Sequence, residues 1–177
     1  SPRCRRERTP MTRLPRVTDA QRRARLMRRH CLTPATRAAS VTEAADRLIG
    51  FHATTASTVH LSAWARIDDF ASATLESALS SERSLVKQLC MRRTLFVMTR
   101  PVLAEAIGAV GPRVTASERT NMLRDLRRSD DVDDPDAWID TAVDAVRGEL
   151  AGGAALTSTQ LRQRLSALEL TVTVGAG

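Results

Sequence analysis

Apolar positions recur along most of the chain with the period of a helix. Val41, Ala44, Ala45, Leu48, Ile49 and His52 follow the i, i+3, i+4, i+7, i+8 spacing of a buried stripe. Ser40 and Glu43 make a capping box ahead of it. Glu43 and Arg47 lie an i,i+4 step apart on the wet face. Earlier, Thr18 and Gln21 make a similar box before a strongly basic helix of about three turns ending near Arg29. From Ala56 to Ile67 the pattern is double. Val59, Leu61, Ala63, Ala65 and Ile67 alternate as in a strand, while Ala56, Val59, Ala63, Trp64 and Ile67 fit a helix. Its alanines and serines favour the helix. Asp69 is expected to open another helix running to about Leu79. A shorter one follows, with Leu85, Val86 and Leu89 inward and Arg83 and Lys87 outward. Thr94 to Met98 is a compact apolar run of strand formers between Arg93 and Pro101. Helix, helix, helix, strand is the order of a winged helix-turn-helix.

The second half begins the pattern again. Leu103, Ala106, Ile107 and Val110 form a stripe that Gly111-Pro112 is expected to stop. Met122, Leu123 and Leu126 form another. The acidic stretch Asp130 to Asp136 reads as a solvated loop, with Asp134 as helix cap and Pro135 in the first turn. Trp138, Ile139, Ala142, Val143, Val146 and Leu150 line one face before Gly152-Gly153. Thr157 and Gln160 cap a short helix, and Leu170, Val172 and Val174 alternate like a strand without a partner. The expectation is a truncated protein with a basic disordered arm over 1–17, a first winged-helix unit over 18–100, and a helical segment with the start of a second winged helix over 101–177.

Composition narrows the class. The chain has 177 residues, 42% of them hydrophobic and 27% charged, which suits one soluble globular domain or a little more. No apolar run approaches the ~20 residues of a membrane helix, so no membrane is expected. Cys4, Cys31 and Cys90 are widely spaced, and with His30, His52 and His60 they form no metal-ligand pattern. No metal or other cofactor is expected, and the thiols suggest a reducing, intracellular setting. There is no glycine-rich phosphate loop, HExxH, GxSxG or CxxC.

Charge changes the picture more. Residues 1–37 hold twelve arginines against Glu7 and Asp19, whereas the remainder is net negative, within an overall +7. Lys87 is the only lysine. A basic arm on a near-neutral body suggests a polyanion as partner, nucleic acid or an anionic surface. An arginine-rich leader also suits an organelle transit peptide, and residues 1–10 precede a plausible start at Met11, so they are set aside from the fold. Arg83, Lys87, Arg92 and Arg93 form a candidate phosphate-contacting face around a recognition helix; an ordinary wet helix face is the alternative. His52 extends the apolar stripe at the end of its helix, with Thr54 two residues on. Spacing alone also fits a semi-buried histidine with its bonds satisfied.

The segment Leu48-Ile-Gly-Phe-His-Ala-Thr-Thr-Ala-Ser-Thr-Val-His-Leu-Ser-Ala-Trp-Ala-Arg66, with Arg83-Ser-Leu-Val and Met91-Arg-Arg-Thr-Leu-Phe-Val97, resembles the winged-helix DNA-binding family that includes the AlkZ and YcaQ DNA glycosylases. It is most similar to an actinobacterial-type branch described as winged helix DNA-binding domain-containing proteins. The similarity runs from about Val17 to the end, and is most specific at His-Ala-Thr and Ser-Ala-Trp-Ala-Arg. The resemblance implies a mainly α fold, a tandem winged helix-turn-helix with short strands, truncated before a C-terminal β-rich part. It also implies a bacterial protein, cytoplasmic and nucleoid-associated. The family glycosylases place Gln-aliphatic-Gln or Gln-aliphatic-Asp where His52-Ala53-Thr54 stands, and those polar groups position the water that attacks the sugar. His52 and Thr54 are then the candidate catalytic residues, altered at both polar positions. Histidine hydrogen-bonds water and serves as a base near neutral pH; threonine offers a short hydroxyl. Arg22 and Arg23 of the basic helix, with Arg83, Lys87, Arg92 and Arg93, are the candidate DNA contacts. The expected partner is double-stranded DNA, alkylated in the glycosylase reading. A non-catalytic DNA-binding module, regulatory or architectural, and a non-functional fragment stay open as alternatives.

Overall fold

The computed structural model describes residues 16–129 and 132–172, so most of the expected basic arm lies outside the described residues. These residues are mainly helical, with one three-stranded antiparallel sheet. They divide into two compact units, one running to Ala106 and the other from Ile107.

The first unit begins with α1 (Asp19–Arg29), capped by the Thr18–Gln21 box. None of its side chains is buried. The chain leaves it at Cys31, which takes a left-handed φ of 58° and is fully buried. Arg66 fixes this corner from across the unit. Its Nε donates to the His30 carbonyl at 3.0 Å and a terminal nitrogen donates to the Ser62 carbonyl at 2.8 Å. Burial pulls its pKa below the usual arginine value.

α2 (Val41–Leu48) is capped by Ser40, whose hydroxyl accepts from the Glu43 N–H. Only half of the expected box forms, because the Glu43 carboxylate accepts from Ala39 N–H, one residue before the cap. α2 buries Val41, Ala44 and Ala45. The expected continuation of its stripe through Ile49 and His52 does not occur. Ile49 is a left-handed cap, mostly exposed, and the chain passes through Gly50 into a strand. In a strand, neighbours point to opposite faces, so Phe51 goes into the core and His52 goes out.

β1 (Phe51–His52), α3 (Ala56–Trp64), α4 (Ser72–Ser80), β2 (Leu85–Leu89) and β3 (Leu95–Thr99) complete this unit. α3 is helical, as its alanines and serines predicted. α4 starts three residues later than expected, because Asp69 sits in a left-handed turn at φ 52°. The expected helix over 85–89 is instead β2. Leu85 and Leu89 share a face at i, i+4 in a strand as well as in a helix. Pairing with β3 decides, since an apolar strand at the middle of a sheet needs neighbours on both edges. The order is β1-β3-β2, all antiparallel. The helices bury small residues, Ala44, Ala45, Ala63 and Ala78, against Phe51, Leu75, Leu85 and Val97. Thr99 is the buried polar side chain at the end of β3, and its hydroxyl donates to the Asp46 carboxylate on α2.

α5 (Arg100–Ser129) crosses into the second unit and runs straight through Gly111-Pro112, where a stop was expected. Proline removes one N–H and crowds the carbonyl four residues back. Here that residue is Gly108, where even a β-carbon would meet nothing, and the helix continues although Val110, Gly111, Val114 and Thr115 beside the proline are weak helix formers. α6 (Pro135–Leu150) begins as read, with the Asp134 carboxylate accepting from Ala137 N–H at 3.1 Å and Pro135 in the first turn. α7 (Ser158–Arg164) carries the Thr157–Gln160 capping box. Leu126, Ile139 and Ala142 are buried between these helices. Arg119 bridges α5 to α6, 2.9 Å from Asp136 and 2.6 Å from Asp140. The strand expected over 170–174 is absent at Leu170 and Val172; Val174 lies outside the described residues.

Candidate functional site

The path of the chain from α2 to α3 sets the site. Gly50 has φ 119°, a conformation L side chains rarely adopt, and it packs against Met98 and the Val97 carbonyl. This close passage lets β1 join β3 with Phe51 opposite Val97 and His52 opposite Phe96. The ladder continues one residue further, where Ala53 N–H donates to the Leu95 carbonyl at 2.7 Å. Phe51 and Ala53 are buried, and His52 and Thr54 are exposed between and beyond them. Strand alternation thus puts His52 and Thr54 side by side. Thr54 Oγ1 and His52 Nε2 are 3.3 Å apart, a hydrogen bond of either polarity depending on the imidazole tautomer. The imidazole and the Phe96 ring meet in a T-shaped pair, with centroids 5.5 Å apart and planes at 89°.

The two faces of the sheet are chemically distinct. Phe51, Leu85, Leu95 and Val97 pack on the helices. Register places His52, Phe96 and Gln88 in one row on the other face, since Phe96 opposes His52 on one side and Gln88 on the other. Sequence reasoning missed Phe96 and Gln88. The signal was present in the apolar run at 94–98, but Gln88 could be aligned with it only once 85–89 was read as a strand.

The arginines and the lysine do not form one helix face. Arg83 stands in the turn before β2 at φ 51°, its carbonyl accepting from Arg100 Nε at 2.9 Å. Lys87 is exposed on β2 opposite Val97, so it projects from the face away from His52. Arg92 and Arg93 occupy the turn between β2 and β3, both at φ 57°. That turn is closed by Cys90 N–H to the Thr94 carbonyl at 2.9 Å and by the Thr94 hydroxyl to the Met91 carbonyl at 2.9 Å. Because β1 runs antiparallel to β3, Thr54 comes level with the base of this turn. The structure therefore brings His52 and Thr54 beside the Arg92–Arg93 turn. Arg83 sits at the opposite end of β2, and Arg22 and Arg23 are exposed on α1. The helix before the hairpin, α4, carries no basic residue; its exposed positions include Ser72, Thr74, Glu76 and Ser80. Among the described residues no three His, Cys, Asp or Glu side chains gather as a metal site.

The family described as DNA glycosylase AlkZ-like matches residues 45–175. The chain belongs to this family. The AlkZ-like match takes in His52-Ala53-Thr54, the sheet and the hairpin turn. It begins inside α2, so α1 with Arg22 and Arg23 lies outside the AlkZ-like region, where the similarity had been expected to start near Val17. No curated protein and no solved structure matches the chain.

Proposed function

We propose that this AlkZ-like chain binds duplex DNA and hydrolyses the N-glycosidic bond of alkylated bases, a DNA-repair activity, with His52 and Thr54 at the reacting centre. The observation that carries the proposal is the 3.3 Å pair of His52 and Thr54, exposed on one strand face inside the family-matched region. We read the first unit as a winged helix, with helix, strand, two helices and a β2–β3 wing, and the second as part of a tandem arrangement. In this reading Arg92 and Arg93 on the wing and Arg22 and Arg23 on α1 contact phosphates.

The chemistry asks little of the protein when the base is already cationic. An N7-alkylated purine departs with the glycosidic electron pair and becomes neutral, while water adds its oxygen to C1′. The water proton must go somewhere. Thr54 Oγ1 accepts it as its own proton passes to His52 Nε2, a short relay that the hydrogen bond already aligns. Threonine supplies no charge to the oxocarbenium-like sugar, so neutral bases should be poor substrates.

A non-catalytic DNA-binding module is the second reading, favoured by the departure of both His52 and Thr54 from the family's Gln and Asp pattern. Incubation with duplex containing N7-methylguanine, followed by chromatography of the released base, separates the two. Released N7-methylguanine supports the glycosylase, and bound but intact duplex supports the module.

A further inference from the structure

We propose that the His52–Phe96–Gln88 row is a platform for a single unstacked nucleobase, with Phe96 as its floor and Gln88 as the side chain that reads the base edge. The inference rests on the DNA reading above and extends it to residues that neither the motif nor the charge pattern marks. Three observations carry it. The first is register: Phe96 opposes His52 on β1 and Gln88 on β2, so both edge strands flank one ring on one face. Neighbouring strands lie roughly 4.8 Å apart, which leaves about 10 Å between the His52 and Gln88 backbones, enough for a purine over the ring.

The second is how much of this face is open. Met98, on the same face two residues along β3, is completely buried, while Phe96 is half-buried and His52 and Gln88 are exposed. The accessible apolar surface of this face is therefore the Phe96 ring, with half-buried Val86 beside it and a hydrogen-bonding group on each side of the ring. A protein partner needs on the order of 800 Å² per side, far more than this row offers. A planar heterocycle needs one ring to stack on and an edge to bond. The Gln88 amide is suited to that edge, since a glutamine offers a donor and an acceptor side by side, the pair that adenine matches. Its Nε2 now rests 3.4 Å from the Leu89 carbonyl, a weak bond that a base edge would displace.

The third is charge. The turn holding Arg92 begins just beyond the Leu89–Leu95 pair that ends the ladder, about 10 Å along the strand from Phe96. A base on Phe96 therefore has its own strand's phosphates within reach of Arg92. Lys87 projects from the other face and takes no part.

The test compares two duplexes that differ only at one position, an unpaired adenine or an abasic site, binding the full chain. Stacking should make the adenine duplex bind roughly five- to a hundredfold more tightly. Phe96→Leu should abolish this preference and leave affinity for the abasic duplex unchanged, while Phe96→Tyr keeps the preference. Gln88→Ala should reduce the preference for adenine over an unpaired thymine. Gln88 is exposed, so this variant keeps its fold, which circular dichroism verifies for all three. Equal wild-type affinity for both duplexes, or a preference that survives Phe96→Leu, overturns the platform alone. Failure of the wild type to bind either duplex overturns the DNA reading beneath it.

Discussion

Gly50 and Met98 are packed so closely that a β-carbon on Gly50 would stand 2.7 Å from Met98 Cγ. The Val97 carbonyl oxygen lies 3.0 Å from the same point, so neither side chain nor backbone leaves room. This contact brings β1 alongside β3, and with it sets the direction in which His52 projects. Gly50→Ala combines a disfavoured φ with overpacking and should cost about 2–4 kcal/mol. Urea unfolding of the two proteins measures it. A variant as stable as the wild type would mean that the close passage is not a constraint.

Thr99 and Asp46 tie the end of β3 to α2. Thr99→Val keeps the shape and removes the donor; Asp46 is exposed, so water satisfies the freed carboxylate oxygen, and the loss should be about 0.5–1.5 kcal/mol. Asp46→Ala should cost a similar amount, and the double variant should lose much less than the sum. Additive losses in such a cycle would show that the two residues act separately.

In the second unit, hydrogen bonds and charge from Arg119 hold the Asp140 carboxyl below its ordinary 3.8. A group whose folded pKa is depressed adds stability above its unfolded value, and that stability is lost as the pH falls through the folded value. Arg119→Met should return Asp140 to the ordinary range and remove the acid-side loss that the pair causes. Carbon-detected NMR titration of Asp140 reads this directly. An unchanged midpoint would mean that the 2.6 Å contact is not populated in solution.

Duplex binding should be strongly salt-dependent if the arginines proposed as its contacts, on α1 and in the hairpin turn, neutralise phosphates. Each phosphate neutralised adds about 0.9 to the slope of log affinity against log salt. Arg92→Ala and Arg22→Ala should each lower the slope by about that amount, equally on different sequences. Lys87→Ala, on the face away from His52, should change it least. A slope that ignores Arg22 would confine the DNA surface to the family-matched residues.

The helix starts that were legible were those with local side-chain caps. Thr18 with Gln21, Asp134 with Pro135 and Thr157 with Gln160 declare their helix starts within four residues of sequence, and all three form. The sheet was only partly legible. Leu95 to Met98 announced a strand by composition, but its partner Leu85–Leu89 satisfies helical and strand spacing alike, and only pairing across the hairpin settles the matter. His52 suffered the same ambiguity, since the position that continues a helical stripe is also the outward position after Phe51. Once the chain turns at Ile49 and Gly50 the strand alternation takes over, and a residue read as the tail of a buried stripe becomes exposed. The pairing of His52 with Thr54 was suggested by the motif. Phe96 and Gln88 were not, because a row across three strands has no signature in any one of them. Pro112 shows the opposite limit: a local breaker, with Gly111 beside it, lies inside a helix that runs from Arg100 to Ser129.

The most direct measurement of the account is the release of N7-methylguanine from duplex DNA by the wild-type chain and by His52→Ala, read alongside duplex affinity. General-base assistance contributes typically 10²–10⁴-fold, so excision should fall by that range in the variant while affinity stays the same. His52→Ala excising at the wild-type rate, or a wild type that binds the duplex and releases nothing, would contradict a reacting centre at His52.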